Sequence, residues 1–185
     1  MVILGVDPGS RLTGYGVVRK TSGNSTEHVE NGTLYLEDHD VFADRLVHLH
    51  KRLSEVIGRY KVQALVVENI FYHKNPKSIQ KLSEVRGVII LSGALAGLPV
   101  FEYTALQVKQ AVTGYGKATK EQMQGMVRKL LKLPDLAEEN ASDALGIALC
   151  HAHQSGQSLR ALAGQYKNPA VNARQELLKK ASFYR

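Results

Sequence analysis

Val2-Ile3-Leu4-Gly5-Val6-Asp7-Pro8-Gly9-Ser10 opens the chain. Val2–Val6 is a short apolar run that stops at an acid, the pattern of a buried strand. Pro8-Gly9-Ser10 is turn chemistry. Working outward, Gly14–Lys20 and His28–Leu36 read as a second and a third strand, and the three predict an antiparallel meander. Ala64–Val67 repeats the opening pattern, apolar throughout and closed by Glu68. Val100–Glu102 predicts a short last strand. Val41–Tyr60 carries Phe42, Leu46, Leu49, Leu53, Val56, Ile57 and Tyr60 at helical spacing, with Asp40 as the predicted N-cap. Phe71–Ser78 is polar and basic and predicts a loop, followed by a long helix over Ile79–Ala96. Leu106–Val112, Thr119–Leu131 and Asn140–His153 predict three more helices, the second stopped by Pro134. Strands first, then strands mixed with helices, predict an α/β layer fold: a central mixed five-stranded sheet flanked by helices. From Gln154 no pattern is clear, so the expectation is a domain over 1–153 and a basic, mobile tail over 154–185.

The 185 residues suffice for one domain with a sizeable core. A composition 44% hydrophobic and 22% charged is globular, and no stretch is apolar enough to span a bilayer. Met1–Asp7 has neither the basic leader nor the cleavage site of a signal peptide. The single cysteine, Cys150, excludes an internal disulfide and an all-cysteine metal site. A cytoplasmic setting is expected. The net charge of +7 is unevenly spread. Residues 71–132 hold 10 basic and 3 acidic side chains, whereas residues 133–153 hold four acids and no Lys or Arg. A basic middle beside an acidic patch suggests a polyanion binder with a local cation site.

Three acids stand out. Asp7 and Glu68 end apolar strands expected to be neighbours, and ligands gather at the carboxyl ends of such strands. Asp143 interrupts an Ala/Leu helix, with Asn140 one turn earlier on the same face. Each alone could be a turn former or a helix cap. If the helix packs near the strand ends, three carboxylates and an amide converge, and their repulsion calls for protons or metal. Mg²⁺ suits these oxygens, and two such ions could activate water and stabilise the leaving oxygen of a phosphodiester.

Longer motifs carry a resemblance. Ile3-Leu4-Gly5-Val6-Asp7-Pro8-Gly9-Ser10-Arg11-Leu12-Thr13-Gly14-Tyr15-Gly16 closely resembles the opening of the RuvC family, the bacterial Holliday-junction resolvases. Val66-Val67-Glu68-Asn69-Ile70-Phe71, Gln107–Val112, Gly114-Tyr115-Gly116, Met126–Pro134 and Ala141-Ser142-Asp143-Ala144-Leu145-Gly146-Ile147-Ala148 continue it in order, over about residues 1–153. The resemblance implies an RNase H-like fold, a homodimer and a Mg²⁺ site, with Mn²⁺ able to substitute, at one or two ions per subunit. Each subunit would nick one of two opposed strands of a four-way DNA junction, in recombination and repair. It implies a thymine-rich cut-site preference and cooperation with the RuvA–RuvB branch-migration complex. It places the metal ligands and catalytic groups at Asp7, Glu68, Asn140 and Asp143. The family carries Asp, or in some members His, where this chain has Asn140. An Asn oxygen can coordinate but brings no charge, so the expectation is a chain that binds junctions and cuts them poorly.

The basic segments supply candidate DNA contacts. Phe71, Tyr72, His73 and Lys74, with Lys77 in the same loop, suit a wedge that stacks on unpaired bases, a role the resemblance supports. Lys109, Lys117 and Lys120 flank Gly114–Gly116 and are candidate phosphate contacts that position the backbone. His151 and His153 read first as surface or capping residues, and Cys150 as a small core residue. Leu82, Val85, Ile89, Leu91 and Leu95 make the helix Ile79–Ala96 the candidate dimer helix. A sugar-kinase or actin-like ATPase would need two such domains, and the chain is too short. A non-cleaving branched-DNA-binding module and an RNase H-like nuclease acting on RNA precursors are the remaining alternatives.

Overall fold

The computed structural model describes residues 1–21, 25–69 and 76–162. Five strands form one sheet: β1 (Val2–Asp7), β2 (Leu12–Lys20), β3 (Thr26–Tyr35), β4 (Ala64–Asn69) and β5 (Val100–Thr104), in the order β3-β2-β1-β4-β5. β1, β2 and β3 run antiparallel as the meander, and β4 and β5 join β1 in parallel. The fold class read from the sequence is therefore the observed one. Among the described residues, five α-helices cover the sheet: α1 (Phe42–Tyr60), α2 (Pro76–Leu95), α3 (Ala105–Thr113), α4 (Lys120–Leu131) and α5 (Glu139–Leu162).

Period-two alternation sorts the strands into two cores. Leu4, Val6, Leu65 and Val67 pack with Leu49, Leu53 and Val56 of α1 and with Val85 and Ile89 of α2. Ile3, Val66 and Val18 face the other way, against α3, α4 and α5. On that face α5 sits unusually low. A Cβ on Gly5 would lie 2.2 Å from the Ala144 carbonyl oxygen, and one on Gly14 would lie 1.9 Å from that of Asn140. One on Gly16 would meet the Leu145 side chain at 2.8 Å. Gly5 pairs with Gly16 across the β1–β2 ladder, so the glycines form a bed on which a helix backbone rests directly. The small face of α5, through Ala141, Ala144 and Ala148, is fully buried there.

Several boundaries differ from the sequence reading. Asp40 does not cap α1; the N-cap is Val41, with no side-chain bond. Leu36 leaves the third strand for a short 3₁₀ turn, held by its N–H donating to the Arg11 carbonyl at 2.8 Å. Pro76–Ser78, predicted as loop, already belong to α2; a proline suits a helix's first position, where its missing N–H costs nothing. α5 runs on to Leu162 rather than ending at His153, continuing through Gly156 with no Pro to break it. α3 and α4 are started by capping boxes, Thr104 with Gln107 and Thr119 with Gln122.

His151 is a correction. It is 1% exposed, accepts from or donates to the Tyr103 hydroxyl at 2.9 Å through Nδ1, and stacks on Phe101 at 4.3 Å between ring centroids. Its place in α5 turns it inward toward β5, which the sequence reading missed. Cys150 is a buried core residue, as expected. Burial lowers the His151 pKa from 6.5 to about 4, with the Lys20 ammonium adding to the effect. The fold thus holds this ring neutral, while the unfolded chain protonates it below 6.5. The stability His151 supports is lost as pH falls from 6.5 toward 4, by about 3 kcal/mol in full. Urea unfolding of the parent and His151→Gln at pH 7 and pH 4.5 should show the parent losing more stability over that interval. Equal losses would contradict the buried neutral ring.

Candidate active site

The parity that separates the two cores also places the acids. Asp7 follows Ile3 and Gly5 on the face of β1 that meets α5, and Glu68 follows Val66 on the same face of β4. The parallel β1–β4 ladder pairs Val6 with Val67, so Asp7 and Glu68 stand side by side one step beyond it. Across the antiparallel ladder Asp7 pairs with Gly14, over which the Asn140 carbonyl rests. The first turns of α5 therefore come down at the carboxyl ends of β1 and β4, bringing Asn140 and Asp143 to the two strand acids. The turn that frees Asp7 is fixed locally. Thr13 is fully buried and its hydroxyl donates to the Gly9 carbonyl at 2.8 Å.

The electrostatics record the convergence. Burial, then the charges of Glu68 and Asp143, raise the Asp7 pKa from 3.8 to about 8, against a lowering pull from Lys120. Burial and Asp143 raise Glu68, and Lys109 opposes them. Asp143 is raised by burial, with Lys120 and Lys109 pulling down and Glu139 pushing up. A carboxyl group held neutral near pH 7 beside two others is a place short of positive charge. Lys120 supplies some of it: its ammonium bonds the Glu139 carboxylate and lies 3.8 Å from that of Asp143. The N-terminus of α5 adds the positive end of a helix dipole. Among the described residues, no three His, Cys, Asp or Glu side chains are grouped tightly enough to hold a metal ion by themselves.

Glu68 and Asp143 line a cleft of about 320 Å³ with Lys109, Lys120, Val108 and Met123. Lys109 and Lys120 thus stand at the acids, whereas Lys117 is exposed on the α3–α4 turn. Lys77 falls in the first turn of α2. Phe71, Tyr72, His73 and Lys74 lie outside the described residues. The sequence reading did not single out Glu139, which binds Lys120 beside the cluster. Its signal was the acidic run on the Lys/Arg-free segment before α5.

Comparisons with known proteins agree with this geometry. A family model described as crossover junction endodeoxyribonuclease RuvC matches residues 3–151. The crossover junction endodeoxyribonuclease RuvC of Geotalea uraniireducens is 54% identical over 155 residues, covering 84% of this chain and 90% of the relative. That of Geobacter metallireducens is 52% identical, covering 84% and 94%. The solved structure of Thermus thermophilus RuvC is 31% identical with a TM-score of 0.78, covering 85% of this chain and 97% of that one. The same protein solved in complex with a Holliday junction substrate gives 32% and 0.79, covering 84% and 94%. With the strand order, the glycine bed and the converging acids, these matches show that the chain belongs to the RuvC family of crossover junction endodeoxyribonucleases, with the RNase H-like fold.

Proposed function

We propose that this chain resolves four-way DNA junctions by paired symmetric nicks, through metal-assisted phosphodiester hydrolysis, in recombination and repair. The observation that carries the reading is the meeting of Asp7, Glu68 and Asp143, from β1, β4 and α5, at one end of the sheet. The donor set fits a hard divalent ion: three carboxylates and the Asn140 amide offer only oxygen ligands of the kind Mg²⁺ or Mn²⁺ takes. The neutral Asp7 and the Lys120 ammonium against Asp143 mark where positive charge is wanted. Such an ion supplies Lewis-acid polarisation of the phosphate and activation of water. The residues do the rest. β1 and β4 fix Asp7 and Glu68 on rigid strands, α5 fixes Asp143, and Lys109 with Lys120 offers phosphate contacts at the cleft. The Phe71–Lys74 segment, with Lys77, is the proposed junction-opening wedge.

A homodimer places two such sites on a twofold axis, matching the symmetry of a junction. α2 supports it: Val85 and Ile89 are buried, while Leu91 and Leu95 are 52% and 59% exposed on the same helix. Partnership with the RuvA–RuvB complex is proposed from the family. No helix among the described residues is long and apolar enough to cross a membrane; a cytoplasmic place is proposed with the partner complex.

Asn140 favours a second reading, a chain that binds junctions and cuts them slowly. One gel assay tests both: a four-way junction against linear duplex, in Mg²⁺ and in EDTA, with the parent and Asn140→Asp. Mg²⁺-dependent paired nicks confined to the junction support the resolvase. Asn140→Asp should cut about tenfold faster or more, because it restores a charged ligand. Equal rates would remove the slow-cutting reading, and cleavage of linear duplex as fast as the junction would remove the first.

A further inference from the structure

α3 and the turn after it carry two large apolar side chains in solvent. Leu106 is 59% exposed and Tyr115 is 58% exposed. The turn that presents Tyr115 is tightly built. Gly114 ends α3 in the left-handed conformation, at φ 76°, which suits only a glycine well. The Tyr115 N–H donates to the Thr113 hydroxyl oxygen at 3.1 Å, and the Tyr115 carbonyl accepts from the Ala118 N–H at 3.2 Å. Ala118 is buried and pins the far side of the turn to the core. Gly116 folds back on α3: a Cβ there would lie 2.5 Å from Leu106 Cδ1. The residue next to Tyr115 thereby packs on Leu106, nine positions before Tyr115 in sequence.

This surface borders the acidic cleft. Ala105 and Lys109, on either side of Leu106 in α3, line the cleft with Glu68 and Asp143. The turn itself leads through exposed Lys117 into Lys120, which lies against Asp143. An exposed aromatic ring and an exposed aliphatic group, on the α3–α4 stretch that also carries Lys109, Lys117 and Lys120, have the composition of a surface that stacks a base while neighbouring phosphates are neutralised. We propose that Tyr115, backed by Leu106, is a stacking platform for an unpaired base of the junction strand that is cut, holding it beside the carboxylates. This rests on the junction-resolving reading above and adds to it a contact separate from the Phe71–Lys74 segment. Tyr115 acts here as a positioning residue: it seats the nucleotide and touches no reacting atom.

The test is photocrosslinking of a four-way junction carrying 5-iodouracil at single positions around the crossover, in Ca²⁺, with junction and linear-duplex affinities measured in parallel. The expected result is a crosslink to the Tyr115 peptide from a position next to the cut. Tyr115→Phe should keep crosslink and affinity. Tyr115→Ala should lose the crosslink and weaken junction binding about tenfold, while duplex binding and thermal stability stay as in the parent. Leu106→Ala should weaken junction binding less. A parent that prefers junctions but crosslinks elsewhere, with Tyr115→Ala binding junctions equally well, would overturn the platform and leave the resolvase standing. A parent with no preference for junctions would overturn the resolvase reading and the platform together. A Tyr115→Ala loss of equal size on linear duplex would also overturn it, assigning the residue to general backbone contact.

Discussion

Asp7→Asn, made in the Asn140→Asp background, should cut four-way junctions at least about a thousandfold more slowly, equivalent to about 4 kcal/mol of transition-state stabilisation. It should bind them as tightly as before. The reasoning runs from the strand outward. Asp7 is at the centre of the cluster, between β2 and β4, and Glu68 and Asp143 both act on it. An amide keeps the shape and removes the charge that a divalent ion needs. The same substitution should make the metal-free protein more stable in alkali. The Asp7 pKa is raised in the fold, so the stability of its neutral form is fully present only below the ordinary value of 3.8 and is lost progressively as pH rises from there to about 8. Asn never ionises and escapes that loss. In EDTA, parent and variant should melt together only in acid near or below pH 3.8, and the advantage of the variant should already be present at pH 6 and larger at pH 9. A group that costs stability and supports catalysis marks a site rather than a structural acid. Loss of both activity and stability at pH 9 would assign Asp7 to structure.

Gly14→Ala should damage fold and site at once. The new Cβ would meet the Asn140 carbonyl at 1.9 Å and the Ala141 nitrogen at 3.1 Å, both backbone atoms that no rotamer change can move. The first turn of α5 must lift off β2, taking Asn140 and Asp143 away from Asp7. The expected cost is about 3 kcal/mol, the upper part of the overpacking range, or a fall of roughly 10 °C in melting temperature for a chain of this size. Gly58→Ala is the contrast. Gly58 lies in α1 with nothing within 4 Å of its Cβ position, and there alanine should stabilise by about 0.5–1 kcal/mol. Calorimetry on the two variants separates a glycine needed for close approach from one that is not. If both behave alike, α5 does not rest on the sheet as described.

Most of the architecture was legible because its signals are local. The apolar runs of β1 and β4, each ending in an acid, and the spacing of α1, α4 and α5 are properties of short windows. The acids could be paired in advance because parallel neighbours align their ends. What escaped notice depends on distant partners. The inward turn of His151 needs β5 beneath it, and the seating of α5 needs Gly5, Gly14 and Gly16 to be read as one surface, which only the β1–β2 register reveals. Asp40 looked like a cap, but the chain enters α1 one residue later, at Val41. Lys120 reads as a phosphate contact in sequence; that the fold also sets it against Glu139 and Asp143, 19 and 23 positions away, could not be read there. Tyr115 stands in the Gly-Tyr-Gly string, yet that string does not tell that its ring is exposed beside α3, where Gly116 packs on Leu106.

The most direct test is anomalous diffraction from Mn²⁺-soaked crystals of the parent and of Asn140→Asp. A manganese peak touching carboxylate oxygens of Asp7, Glu68 and Asp143, stronger in Asn140→Asp, is the expected result. A peak held by other residues, in protein that still cuts junctions, would show that these three acids do not share the ion and that the chemistry lies elsewhere.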